Sequence, residues 1–328
     1  MAGVAADAVL TLPDGSALLD TGHAGRPGTI GAYLVPQAGD AGRAGRFDLV
    51  EAGPQIDLPQ LEAGVRALGL EPGGVERVLV THIHLDHAGA AGAWAARHGA
   101  RVVVLAAGAE HLVDPSRLLA SARRIYGEAM ERIWGGMTPL DPSALEVVEG
   151  TQELLVGGRR VQVVATPGHA RHHASFVWPD GVAYSGDAAG IRLRGWPVVR
   201  PALTPPELDL AAWDASFARL RALGLSEVRL THFGAYDDVG RHLDAAQERT
   251  HAWAEAVLAW AVAGCSRAEA MRRLDETARQ ELEAAGADEA TVQRYLSTSD
   301  AAMTVAGLER YWSKHHPERW PGWEEADG

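Results

Sequence analysis

Residues 82–87 of the run Thr81-His82-Ile83-His84-Leu85-Asp86-His87-Ala88-Gly89 hold three imidazoles and one carboxylate in six consecutive positions. These groups bind divalent transition metals. Three later positions carry donors of the same kind: Pro167-Gly168-His169, Gly186-Asp187 and Thr231-His232. Each follows a short apolar run that reads as a strand, and glycine edges several of them, which lets the backbone turn sharply and come close to a ligand. Seven donors are too many for one tetrahedral ion but suit two ions sharing a bridging carboxylate. Two divalent ions, two aspartates and a bridging hydroxide would leave a net charge of about +1 to polarise a carbonyl or phosphoryl oxygen.

The elements around these donors can be read in order. Val75–Val80 is a buried strand, and the small, alanine-rich Ala88–Gly99 stretch reads as a helix, so the first cluster sits where a strand hands over to a helix. Upstream, Val9–Leu12 and Ser16–Leu19 flank Pro13-Asp14-Gly15 as a hairpin, and Ile30–Val35 with Arg46–Glu51 flank a glycine-rich stretch as a second one. The spacing of Leu58, Leu61, Val65 and Leu68 predicts a helix over Leu58–Leu70. Downstream strands are predicted at Arg101–Ala106, Glu146–Val148, Gln152–Val156, Arg160–Ala165, Ala174–Trp178, Val182–Tyr184 and Glu227–Leu230. Between them, residues 107–146 carry a long helical pattern, residues 190–209 form a Pro-, Arg- and Trp-rich loop, and Leu210–Leu223 is helical. Beyond about residue 241 the strands stop, and His242–Val262, Arg267–Ala285 and Glu289–Tyr311 read as three helices before a Trp-rich tail.

Composition narrows the partners. A net charge of −13 with no Lys/Arg cluster argues against nucleic acid. The single cysteine, Cys265, excludes an internal disulfide framework and suits a reducing, cytoplasmic compartment. No apolar run reaches membrane-spanning length, and the N-terminus lacks the basic and apolar segments of a signal peptide, so neither a membrane nor export is expected. The expected partner is a small-molecule substrate, with a homodimer through the C-terminal helices as the alternative to their capping a pocket.

In its ordered motifs, His82-x-His84-x-Asp86-His87, Pro-Gly-His169, Gly-Asp187 and Thr-His232, the chain resembles the metallo-β-lactamase-fold hydrolases over about residues 8–240, and most closely the glyoxalase II type. That resemblance implies a four-layer αββα sandwich in residues 1–240, with 107–146 as a helical insertion that is either a cap or an ordinary surface helix, and a helical C-terminal extension over 241–328. It implies that His82, His84 and His169 hold one metal, Asp86, His87 and His232 a second, and that Asp187 bridges them. Zinc is the first choice of ion, with iron or manganese as alternatives.

The implied chemistry is hydrolysis of an ester, thioester, lactone or amide by a metal-bridging hydroxide, with Asp86 orienting the nucleophile and Asp187 also catalytic. The alternative is a persulfide dioxygenase-like reaction at one ferrous ion held by two histidines and an aspartate. Many members carry Asp-x-Gly where this chain has Glu51-Ala52-Gly53. Glu51, one methylene longer, is therefore expected behind the ligands rather than on the metal, as are His172 and His173. Arg192, Arg194 and Arg200 read as solvated surface, with carboxylate or phosphate recognition as the alternative. Tyr126, Met130, Trp134 and Met137 read as packing.

Overall fold

The computed structural model describes residues 8–37 and 45–324, so most of the glycine-rich stretch of the second hairpin lies outside the described residues. The first half of the chain builds a seven-stranded sheet in sequential order: β1 (Val9–Thr11), β2 (Ala17–Asp20), β3 (Gly31–Pro36), β4 (Phe47–Val50), β5 (Val75–Leu79), β6 (Arg101–Leu105) and β7 (Leu145–Val148). Pairing is antiparallel up to β4 and parallel from β4 to β7. The parallel steps are crossed by α1 (Leu58–Ala67), by α2 (Leu85–Ala88) with α3 (Ala91–His98), and by α4 (Ala106–Val113), α5 (Ser116–Tyr126) and α6 (Met130–Trp134). The second half makes a six-stranded sheet from β8 (Thr151–Val156), β9 (Arg159–Ala165), β10 (Ala174–Val177), β11 (Val182–Tyr184), β12 (Glu227–Leu230) and β13 (Gly234–Tyr236). In it α7 (Leu210–Ala222) bridges the parallel pair β11–β12.

Strand periodicity sorts the core into layers. On β5, Val78 and Val80 enter the cluster with α1 and α3, whereas Leu79 between them enters the cluster shared with the other sheet. On β6, Val102 and Val104 face the helices while Val103 and Leu105 face the inner core. Alternation with period two is what a strand covered on both faces requires. In the second sheet Val161, Val163 and Phe176 face inward, and Val164, Val177, Ala183 and Val228 face outward. Helix, sheet, sheet, helix is the predicted sandwich.

Four helices follow: α8 (Val239–Val262), α9 (Arg267–Ala284), α10 (Glu289–Thr298) and α11 (Ala301–His315). Their apolar faces continue the inner core, with Leu243, Val257, Leu274, Tyr295 and Leu308 in the same cluster as both sheets. The helical extension is thus present, but the single helix predicted over Glu289–Tyr311 is two. The Asp300 carboxylate accepts from the backbone N–H groups of Ala302 (2.7 Å) and Met303 (3.1 Å) and starts a new helix there. The long helical pattern in 107–146 is likewise three helices, parted at Asp114-Pro115 and Gly127. Ala106 opens α4 instead of closing β6, Gly89-Ala90 separates α2 from α3, and β13 has no counterpart among the predicted strands. No helix among the described residues is long and apolar enough to cross a membrane.

Replacing Asp300 with alanine removes the cap that separates α10 from α11. Chemical denaturation should show a loss of about 1 kcal/mol, and an unchanged midpoint would contradict the assigned cap.

Candidate metal centre

The parallel pairs β4–β5 and β11–β12 each bring two strand ends to one edge of their sheet. Backbone bonds weld those edges together: Ala174 N–H donates to Thr81 O at 2.8 Å and Gly31 N–H to Thr231 O at 2.9 Å. All seven predicted ligands meet at this seam. His82 Nε2 and His169 Nε2 lie 3.0 and 2.9 Å from His84 Nδ1. His232 Nε2 and His87 Nε2 lie 3.3 and 3.7 Å from Asp86 Oδ2. Asp187 stands between the sets, with Oδ1 3.3 Å from His87 Nε2 and 3.5 Å from His232 Nε2, and Oδ2 3.4 Å from His169 Nε2.

The outward ring nitrogens fix which atom points inward. His169 Nδ1–H donates to Ala202 O at 2.7 Å, and His232 Nδ1–H to Thr29 O at 2.7 Å. His82 Nδ1 contacts Thr81 Oγ1 at 3.1 Å, and that hydroxyl donates to Glu51 Oε1 at 2.6 Å. His87 Nδ1–H donates to Glu51 Oε1 at 2.9 Å. Each of these four histidines therefore turns Nε2 to the inside. His87 Nε2 and Asp187 Oδ1 are buried with no hydrogen-bond partner among the described residues. One imidazole nitrogen each from His82, His84 and His169, all within 4.8 Å of one another, together with an unpartnered imidazole nitrogen and carboxylate oxygen beside them, fit divalent cations.

Charge sorts the two sets. Burial, then the neighbouring His169, pushes His84 down to about 3, and burial with His87 drives His82 well below the usual histidine range. Both are therefore neutral and ready to coordinate at neutral pH. Burial would lower His87 too, but Asp187, Asp86 and Glu51 outweigh it and hold it well above its ordinary value. His232 is raised despite burial by Asp187 and Asp86. Burial opposes ionisation of Asp86 and Asp187, yet His87 above all holds both well below the carboxylate range. Metal loading at the second set therefore displaces protons.

Glu51 is buried behind the ligands and collects four hydrogen bonds, from Thr81 N–H (3.2 Å), Thr81 Oγ1 (2.6 Å), His87 Nδ1 (2.9 Å) and Thr231 Oγ1 (3.1 Å). It does so from φ 69°, a left-handed backbone that costs a non-glycine residue about 1–3 kcal/mol. His173 does not face either ligand set: its Nδ1–H reaches Thr166 Oγ1 at 2.8 Å and its Nε2 accepts Asp187 N–H at 3.2 Å. Gly186, at φ 46°, leaves room for that bond, since a Cβ there would come within 2.8 Å of His173 Nε2 and overlap Thr81. His172 makes no hydrogen bond to a ligand; its ring stacks over His82 at 6.0 Å and its Nε2 lies 3.5 Å from Glu207.

Loop 190–206 serves both sets. Ala202 supplies the carbonyl for His169, while Arg192 N–H donates to His232 O at 2.7 Å. The loop is closed by paired backbone bonds between Ile191 and Arg200, and Tyr295 of α10 ties it down, its hydroxyl donating to Val198 O (2.8 Å) and accepting from Leu193 N–H (3.0 Å). Arg200 is not solvated surface: it is fully buried, donates to Ala278 O at 2.7 Å and lies against Trp253 and Tyr295. Arg192 pairs with Asp238 at 2.6 Å, and Arg194 is exposed. Met130 and Met137 pack in the core, whereas Tyr126 and Trp134 line a pocket over the metal-binding groups. The sequence reasoning passed over Thr81, Thr166 and Thr231. Their signal was available, because a threonine ends three of the strands that precede ligands. Backbone carbonyls such as those of Thr29 and Ala202 leave no such signal.

A two-sheet sandwich with paired histidine–carboxylate sets at one edge defines a class of metal-dependent, mostly hydrolytic proteins. This chain belongs to the metallo-beta-lactamase superfamily, whose family model matches residues 8–234. It is 33% identical over 164 residues to the metallo-beta-lactamase fold-containing protein ST1585 of Sulfurisphaera tokodaii, covering 49% of this chain and 61% of the relative. It is 29% identical over 132 residues to the hydroxyacylglutathione hydrolase of Acidiphilium cryptum, covering 40% of this chain and 42% of that one. The matched stretches thus span less than two thirds of these relatives. The crystal structure of the metallo-beta-lactamase family protein TTHA1429 from Thermus thermophilus shares the fold at a TM-score of 0.62 and 22% identity, over 94% of this chain and 92% of its own.

Glu51→Ala should weaken retention of metal about 10- to 100-fold in chelator competition, because His87 loses its orienting acceptor. Tyr295→Phe, more than one contact removed from any ligand, should weaken it by a smaller factor. An equally destabilising truncation in the extension that leaves the loop untouched, such as Leu282→Ala, should not weaken it at matched folded fraction.

Proposed function

We propose that the protein is a dinuclear metal-dependent hydrolase acting on an ester, thioester, lactone or amide carbonyl of a small molecule. The observation that carries this reading is Asp187, whose two oxygens address one donor set each. His82, His84 and His169 would hold one divalent ion, Asp86, His87 and His232 the other, with zinc as the first choice. When bound, such a pair supplies an ionised water near neutral pH and a positive field on the scissile carbonyl. Asp86 is the ligand carboxylate most open to the pocket, its side chain 25% exposed, and so is placed to orient the nucleophile and pass a proton to the leaving group. In the net reaction a C–O bond forms from water and the acyl bond to O, S or N breaks. One water proton goes to the leaving group and the other is released with the carboxylate. Glu51, Thr81 and His173 hold the ligands in register through the reaction.

The alternative, a mononuclear iron dioxygenase of persulfides, would leave Asp86, His87 and His232 without a purpose, yet these three converge as a set of their own. The lone Cys265 supports a reducing, cytoplasmic setting. The test is metal analysis coupled to a substrate screen. About two divalent ions per chain are expected, with His84→Ala and Asp187→Ala each lowering turnover more than about 100-fold. One iron per chain with oxygen consumption would overturn the proposal, as would full turnover in either variant.

A further inference from the structure

The pocket over the metal-binding groups has His84, Asp86, His169 and Asp187 as its floor. Its walls are mostly apolar, broken by the hydroxyls of Ser121 and Thr204, and come from three separate segments: Leu118, Ile125, Tyr126 and Trp134 from the insertion, Pro205 from the 190–209 loop and Met303 from α11. Ile125 is 44% exposed, a large apolar side chain turned to the pocket instead of the core. Trp134 is held rigid, stacked on His23 at 5.0 Å and edge-on to Tyr126 at 5.4 Å, while Asp57 fixes His23 through a 2.7 Å bond. Among the described residues no lysine or arginine lines this pocket. Of the arginines on flanking segments, Arg171 pairs with Glu207 at 2.9 Å, Arg310 donates to Pro206 O at 2.8 Å and Arg123 pairs with Glu131 at 2.8 Å, while Arg117 and Arg124 of α5 are exposed and are not among the pocket-lining residues.

We propose that this pocket selects uncharged substrates with an apolar arm and discriminates against substrates that carry carboxylates away from the scissile bond. The proposal rests on the hydrolase reading for which bond is cleaved, but the selectivity belongs to the walls. An apolar arm leaves water for Leu118, Ile125, Trp134 and Met303, worth about fourfold in affinity per methylene. A remote carboxylate would be stripped of water in a pocket whose walls offer no cation to replace it. S-acylglutathione esters, which carry two carboxylates, are therefore poor candidates here despite the partial likeness to hydroxyacylglutathione hydrolases.

The test uses two matched pairs on the metal-loaded protein. Calorimetry compares two uncleavable thioethers, S-hexyl-N-acetylcysteamine, which is neutral, and S-hexylglutathione, which is anionic. Kinetics compares the corresponding S-hexanoyl thioesters. The neutral member should bind at least about tenfold more tightly and show the higher kcat/KM by a similar factor. Trp134→Ala should weaken the neutral thioether about tenfold. Ile125→Arg, on the exposed rim, should shift the ratio at least about fivefold toward the glutathione conjugate. Equal or reversed thioether affinities overturn the proposal, and if both thioesters are then cleaved the hydrolase reading stands without it. A clear neutral preference in binding with neither thioester, nor any other ester, lactone or amide, cleaved leaves the pocket assignment standing and overturns the hydrolase reading instead.

Discussion

One buried carboxylate holds the edge of this molecule together. Glu51 gathers Thr81 from just past β5, His87 from α2 and Thr231 from just past β12, so three pieces of chain converge on its Oε1 while Thr81 N–H also reaches Oε2. An unpaired carboxylate in that position would be prohibitively unfavourable, and the charge-assisted bonds offset both its burial and its left-handed backbone. The longer side chain relative to the aspartate common at this place is accommodated because the acceptor still reaches His87 at 2.9 Å. Metal-ligand geometry here is thus set from behind, by a group that the pocket does not expose.

A second constraint comes from the far end of the chain. The 190–206 loop touches one ligand in each donor set, and α10 anchors that loop through Tyr295. The C-terminal helices share the inner core with both sheets and supply Met303 to the pocket wall. They both brace the loop behind the metal-binding groups and supply part of the pocket wall.

Much of this was legible in the residues. The order of His82-x-His84-x-Asp86-His87, His169, Asp187 and His232 picked out the seven side chains that converge at the seam, because metal chemistry admits few side chains and the motifs sit at strand ends. Short apolar runs located the strands of both sheets except β13, whose Gly234-Ala235-Tyr236 is too short and too small to show such a pattern. Periodicity failed where a local cap overrode it: the helical pattern read across Ser299-Asp300 is parted into α10 and α11 where the Asp300 side chain accepts from Ala302 and Met303 N–H. Arg200 was misread because burying an arginine requires a carbonyl from α9 and two flanking aromatic rings from distant helices, which no local window displays. The supporting carbonyls of Thr29 and Ala202 were invisible for a plainer reason: every residue has one.

The span of these bonds along the chain has a consequence for assembly. Glu51 and Thr231 are 180 positions apart, and the Tyr295 hydroxyl reaches back 102 positions to Leu193. Contacts between such remote positions form late, because the intervening loops must close first. An amino-terminal fragment holding the dense 82–87 cluster would have histidines but no preformed cage. As the chain emerges from the ribosome, the seven converging side chains cannot be brought together before His232 has been made, and the loop behind two of them is anchored only once Tyr295 follows.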